Sequence, residues 1–196
     1  MPPAEHWKPK KCNAPDISSL SDDLVAEYTL RVIFHSAVPS DAALRGLTVG
    51  YVRLVDKCTY EYRRGRSSLE QFVQSDTDLR QSILLRAAGH FETCINSMKR
   101  AINYLEALRR APNGPPIPKN LTLFREANRI RAVRDAIEHT DRDICKGRVV
   151  PGDPHLLMVK DNGLALGGEE ISYRELVRCL EQLHDQAHRM WEHFSQ

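Results

Sequence analysis

An arginine and a histidine lie five positions apart in the most regular stretch of the chain, residues 119–145. Apolar residues recur there every three or four positions without an intervening Pro or Gly, which predicts one long amphipathic helix. At 100° per residue, Arg134 falls within the apolar arc, where a guanidinium keeps its charge and needs a carboxylate, a phosphate or water. Arg134 therefore indicates either an anion-binding cleft or an ion pair with a nearby acid, Glu138 or Asp141. The apolar positions are Leu123, Ala127, Ile130, Val133 and Ile137.

The string around this arginine is Arg134-Asp135-Ala136-Ile137-Glu138-His139. It resembles the R-x4-6-H signature of the HEPN superfamily, small helical proteins that are often metal-independent endoribonucleases. In that family the residue after the Arg is usually Asn, Asp or His, and Asp135 agrees. The order of elements is also similar, since a hairpin-like segment and a final amphipathic helix follow the motif helix. The resemblance covers the chain from Leu79 to its C-terminus.

The resemblance implies a role for each motif residue. His139 would act as general acid or base on the ribose 2′-hydroxyl or the leaving 5′-oxygen, because its pKa lies near working pH. Arg134 would bind the scissile phosphate, and Asp135 would orient one of the two. The 2′-hydroxyl is the internal nucleophile, so we expect no metal and no cofactor. The alternative is a non-catalytic RNA- or protein-binding module, in which Arg134 is paired structurally and His139 lies in solvent.

The motif also predicts an oligomer. Residues five apart lie roughly 140° apart on an ideal helix, so Arg134 and His139 share a face only where the helix bends or ends between them. In the HEPN family two motif helices meet in a dimer, which implies a homodimer here. An antitoxin or a nucleotidyltransferase-type protein is a candidate partner. In one subgroup such an enzyme modifies a Tyr two residues after the motif His. Asp141 occupies that position here, which argues against that regulation.

Other basic residues are candidate RNA contacts. Three arginines surround Gly65, where we predict a helix C-terminus: Arg63, Arg64 and Arg66. Their positive charges would either complement the dipole of the helix end or contact RNA phosphates. His90 lies in an apolar stripe, as a hydrogen-bonded core residue or as a further RNA contact. A second pair, His184 and His188, has zinc-ligand spacing but no third ligand. We therefore expect both of these histidines at the surface or at a dimer face.

Composition limits the remaining possibilities. The 196 residues are 41% hydrophobic, enough for a core, and the formal net charge of +2 predicts no general nucleic-acid coat. No segment is apolar enough to span a membrane, and no signal peptide pattern is present, so we expect a cytoplasmic protein without a membrane partner. Wide spacing of the cysteines predicts free thiols. The cysteines are Cys12, Cys58, Cys94, Cys145 and Cys179.

The expected fold is all-α, a HEPN-like helical bundle with a small β-hairpin before the last helix. Residues 1–21, rich in Pro and Lys, would form a flexible arm, and 22–196 a single helical domain. We predict helices at 22–37, 40–64 with Ser40 as its cap, 76–110 and 119–145 with Asn120 as its cap, and a short helix from Ser67. Lys99 would be solvated. Strands at 155–159 and 164–166 would flank an Asn-Gly turn, and a capping box, Ser172 to Glu175, would start the last helix.

Overall fold

The protein is mostly helical, with a small antiparallel sheet before its last helix. A computed structural model describes residues 8–21, 23–35, 39, 41–75, 80–147 and 156–194. The helices are α1 (Leu24–His35), α2 (Ala42–Gln74), α3 (Arg80–Arg110), α4 (Thr122–Cys145) and α5 (Tyr173–Phe194). The strands are β1 (Met158–Val159), β2 (Gly163–Leu166) and β3 (Glu169–Ser172), in the sheet order β1-β2-β3. The prediction of a mostly helical fold with a small β-sheet before the last helix is confirmed.

Helices α2 and α3 form a long antiparallel hairpin with the most extensive contact in the structure. Gly65 is buried between them, and a Cβ placed there would lie 3.0 Å from the Phe91 ring. The predicted helix end at Gly65 and the new helix at Ser67 are therefore wrong. Glycine permits close approach of two helices here, and α2 continues to Gln74.

The starts of two helices, α2 and α4, differ from their predicted caps. Asp41 caps α2, and its Oδ1 accepts from the Leu44 N–H at 2.7 Å. Helix α4 begins at Thr122 rather than Asn120, and the Gln182 side chain of α5 accepts the Leu123 N–H at 2.8 Å. The capping box of α5 is confirmed, since Glu175 N–H donates to Ser172 Oγ and Ser172 N–H to Glu175 Oε2. The predicted Ser40 cap, and the predicted helix residues 22, 36–37 and 76–79, lie outside the described residues.

The sheet has a third strand that the sequence did not reveal. Gly167 and Gly168 have φ values of +58° and +85° and form the turn from β2 to β3. Strand β2 pairs with β1 at Val159↔Leu164 and with β3 at Leu164↔Ile171. The two glycines reverse the chain, so the strand that follows reaches Ser172 and leads directly into α5. The start of the predicted first strand, His155, lies outside the described residues.

The described part of the arm, residues 8–21, lies against the body. Asp161 accepts the backbone N–H groups of Lys10 at 2.6 Å and Lys11 at 3.1 Å, and Asn13 N–H donates to the Asp161 carbonyl at 3.2 Å. Ala14 and Ile17 are buried in the main hydrophobic cluster. This segment therefore packs over the sheet and the side of α2. Residues 1–7 of the predicted arm lie outside the described part.

Candidate functional site

Arg134 lies just past the middle of α4, at the margin of the helix's buried face. Its side chain is 33% exposed, and its guanidinium forms ion pairs with two acids of the same helix, Asp135 at 2.9 Å and Glu138. The expected carboxylate partner is therefore Glu138, with Asp135 as a second. The side chain of Asp141, the other predicted partner, lies outside the described residues. Two carboxylates hold the guanidinium in place and reduce its net charge.

His139 follows five residues later, about 1.4 helical turns from Arg134, and its imidazole side chain is half-buried. It makes no hydrogen bond to any residue that the structure describes. Helix α4 runs unbroken to Cys145, so His139 points roughly 140° away from Arg134 and lies about 7.5 Å further along the axis. Within one chain, α4 therefore does not direct the two side chains at the same point.

A buried lysine lies across from Arg134 on α3. Lys99 is only 8% exposed, and its ammonium donates to Asn103 Oδ1. Burial lowers the pKa of Lys99, the positive charges of Arg131 and Arg134 lower it further, and Glu106 and Asp135 oppose them. The prediction of a solvated Lys99 is wrong, because α4 packs over a side of α3 that its apolar stripe does not include. Arg134 therefore belongs to a group of three cations, together with Lys99 and Arg131.

Two of the predicted RNA-binding arginines bind the chain's own backbone. Arg63 donates to the carbonyls of Ile17 and Leu20, and Arg66 Nε donates to the Ala14 carbonyl at 3.0 Å. Arg66 also forms an ion pair with Glu70 at 2.9 Å. These contacts hold the arm against α2. Arg64 points away from the arm and is exposed.

His90 belongs to a different part of the molecule from Arg134. Its Nδ1 lies 2.7 Å from Glu61 Oε2, and both side chains are partly buried between α2 and α3. His90 and Lys99 are nine residues apart, which places them on opposite sides of α3 and about 13.5 Å apart along its axis. The structure therefore does not bring His90 to the motif residues.

The other histidine pair does not form a surface site. His184 is 3% exposed and its Nε2 lies 2.8 Å from Thr59 Oγ1 on α2, so the prediction that it lies at the surface is wrong. His188 is exposed and contacts the edge of Trp191. Among the described residues, no group of three His, Cys, Asp or Glu side chains could hold a metal ion.

Three of the five cysteines do not supply the thiolate that a nucleophilic site needs. All five are free, and Cys58, Cys94 and Cys179 are buried. Burial raises the pKa of each of these three thiols, so they remain protonated at neutral pH.

A large cleft lies elsewhere in the described part of the structure. It has a volume of about 780 Å³ and lies between the arm, α4 and the sheet. Its charges are largely paired, since Arg129 binds Glu175 and Lys160 binds Glu170. None of Arg134, Asp135 and His139 lines it, so its size does not make it the candidate site.

The chain matches no protein-family model, no curated protein and no solved structure. None of the described helices has the length and apolar character needed to cross a membrane.

Proposed function

We propose that the protein is a HEPN-like, metal-independent endoribonuclease of the toxin or phage-defence kind, acting in the cytoplasm. Its site would comprise Arg134, Asp135 and His139. The observation that supports this most directly is that the same helix carries a guanidinium held in place by acids and an imidazole without a hydrogen-bond partner among the described residues. Arg134 is held by Asp135, as the proposed orienting role of Asp135 requires, and the ring nitrogens of His139 have no partner among the described residues.

The reaction would use groups that the chain and the RNA already have. The ribose 2′-oxygen attacks the adjacent phosphorus, and its proton passes to a base. The bond from phosphorus to the 5′-oxygen breaks, and that oxygen takes a proton from an acid. The products are a 2′,3′-cyclic phosphate and a 5′-hydroxyl. Histidine suits either proton transfer, and the planar fork of Arg134 suits the phosphate oxygens.

This mechanism requires a second copy of the chain. Arg134 and His139 point in different directions on an unbroken helix, so one α4 cannot present both to one phosphate. Two α4 helices related by a two-fold axis could place the Arg134 of one copy beside the His139 of the other. We therefore propose that the active form is a homodimer.

A non-catalytic module is the second candidate, and one observation favours it. The Arg134 guanidinium already has two carboxylate partners, Asp135 and Glu138, so a phosphate would have to compete with them or bind the remaining donors. In that case α4 would bind RNA or a protein partner, such as an antitoxin or a nucleotidyltransferase, without cleaving RNA.

Cleavage of RNA in the presence of EDTA distinguishes the two candidates. We expect the wild-type protein to cleave single-stranded RNA and to leave 2′,3′-cyclic phosphate ends, and we expect His139→Ala to lose this activity while it keeps its circular dichroism spectrum. His188→Ala is the matched control, because His188 is an exposed helical histidine outside the motif. Equal activity of His139→Ala and His188→Ala would contradict the proposal, as would cleavage that stops when metal is chelated.

A further inference from the structure

Five basic side chains lie on the outer side of the α2–α3 hairpin, away from α4. All are exposed, and none forms an ion pair with a described residue. We call this surface the α2–α3 basic face. Its members are Arg53, Lys57 and Arg64 on α2, and Arg86 and Arg100 on α3.

Helical spacing places these residues on one surface. The contact between Glu61 and His90 joins α2 to α3 at 2.7 Å. Lys57 and Arg64 are four and three positions from Glu61, and Arg86 is four positions from His90, so each helix adds cations directly beside this contact. Arg53 continues the α2 row by one turn.

The packing of the hairpin sets how far the face extends. Gly50 of α2 lies against Tyr104 of α3, and Gly65 lies against Phe91, which shows that the two helices run antiparallel. Arg53 therefore lies at the same height along the hairpin as Arg100, near Gly50. Arg86 and Arg100 are 14 residues apart on α3, which is about 21 Å. The face is therefore an elongated strip rather than a single point charge.

The acids of the two helices do not neutralise this strip. Glu61 lies within it, in contact with His90, and offsets at most one of the five positive charges. Asp56 accepts the N–H groups of Leu24 and Val25 at the start of α1. Glu70 pairs with Arg66, Glu106 pairs with Arg110, and Glu92 lies about 200° around α3 from His90. The chain's formal net charge of +2 includes these five cations, so the rest of the chain carries −3.

We propose that the α2–α3 basic face docks the phosphate backbone of RNA, at a distance from the Arg134–His139 site. The choice of RNA as the polyanion rests on the proposed function. A strand with one phosphate per 3.4 Å presents about six phosphates over 21 Å, which suits a row of separated cations. Tyr60 is the large apolar side chain of α2 that is exposed to solvent. An exposed aromatic ring beside a row of cations suits stacking against an RNA base. A membrane-binding helix would instead need an apolar ridge between its cations.

The inference also separates the four predicted RNA contacts into two groups. Arg64 is on the face, and His90 contacts Glu61, the acid that lies within the face. Arg63 and Arg66 hold the arm and are not part of the surface. We therefore expect substitution of Arg64 and substitution of Arg63 to have different effects, the first on RNA binding and the second on arm docking.

The test measures binding of a fluorescein-labelled 2′-O-methyl RNA by anisotropy, because this RNA lacks the 2′-hydroxyl nucleophile and cannot be cleaved. The test variant replaces Arg53, Lys57 and Arg64 with Gln. The control replaces Lys119, Arg125 and Arg174, which are exposed on other surfaces, with Gln. Both lose three positive charges. We expect the test variant to bind at least about tenfold more weakly at 100 mM salt, and its log–log salt slope to fall by roughly 2, since each phosphate contact on a single strand contributes about 0.7.

A second variant, with Arg86 and Arg100 replaced by Gln, probes the same face from α3 and guards against a folding defect of the first. Equal loss of affinity in test and control variants, or no loss in either face variant, would overturn the proposal. So would loss of binding to phosphatidylserine vesicles with RNA binding unchanged, which would assign the face to membranes. Binding that depends on the face in a protein without RNA cleavage would retain this inference and reject the proposed activity.

Discussion

Two glycines of the same helix illustrate how one residue's surroundings decide its effect. Gly46 and Gly65 both lie within α2, where Gly costs helix stability relative to Ala. A Cβ at Gly46 would meet nothing within 4 Å, whereas one at Gly65 would lie 3.0 Å from Phe91. Phe91 is fully buried and packed against Tyr62 and Tyr173, so its ring has little room to move.

We therefore expect opposite effects from the same substitution. Gly46→Ala should raise the free energy of unfolding by about 0.5–1 kcal/mol, through helix propensity. Gly65→Ala should lower it by about 1–3 kcal/mol, because the added methyl group overpacks the α2–α3 contact. Urea denaturation of the two variants measures both values. A stabilised Gly65→Ala protein would show that the hairpin can open at this point without cost.

The paired histidines of α5 make a similar contrast. His184 is buried against Thr59, and its replacement by Ala leaves a cavity and removes one of the two hydrogen bonds of the Thr59 hydroxyl, which keeps its bond to the Val55 carbonyl. We expect His184→Ala to lower the free energy of unfolding by about 1–3 kcal/mol, and the exposed His188→Ala to change it by less than about 1 kcal/mol. Thermal denaturation of the two variants tests this. Equal effects would mean that the His184–Thr59 contact contributes nothing measurable.

At the scale of elements, the capping box links sheet, helix and pH. Glu175 is partly desolvated, which alone would raise its pKa, but hydrogen bonds from Ser172 and the charge of Arg129 lower the pKa below its ordinary value of 4.5. A carboxyl group with a lowered folded-state pKa stabilises the fold above its unfolded pKa, and this contribution is lost as pH falls through the folded pKa.

We therefore expect Glu175→Gln to destabilise the protein by about 1 kcal/mol at neutral pH. The difference from wild type should shrink as pH falls below 4.5, where the wild-type carboxyl also becomes protonated. Urea denaturation at several pH values measures the difference. An unchanged gap at low pH would mean that the charge of Glu175 does not contribute to the cap.

Sequence patterns predict an element well where a local pattern determines it. They predict it less well where one residue type is compatible with two structures and a distant packing partner decides between them. The apolar stripes located α3, α4 and α5, and Ser172 and Glu175 marked the start of α5. Gly65 suggested a helix end because glycine is common there, but the identity of its packing partner, Phe91, depends on the α2–α3 hairpin. Gly167 and Gly168 have the same ambiguity, since a glycine pair can end a strand or begin the next one.

The same limit applies to the candidate site. The i,i+4 pairing of Arg134 with Glu138 is a local relation and was among the predicted alternatives. Lys99 is remote in sequence, and its burial beside Arg131 and Arg134 follows from the way α4 crosses α3. Arg63 and Arg66 are equally non-local, because their partners are carbonyls of the arm 43 to 52 residues earlier.

At the scale of the whole molecule, the decisive question is whether one active site draws residues from two copies. If it does, Arg134→Ala and His139→Ala should each be inactive alone. Mixing them under conditions that allow subunit exchange should restore roughly a quarter of wild-type RNA cleavage, because half of the dimers are mixed and each mixed dimer has one intact site. A gel assay in EDTA measures this, with each variant mixed with itself as the control. Two active single variants would exclude a catalytic role for the motif. Two inactive variants that stay inactive after verified exchange would exclude a shared site.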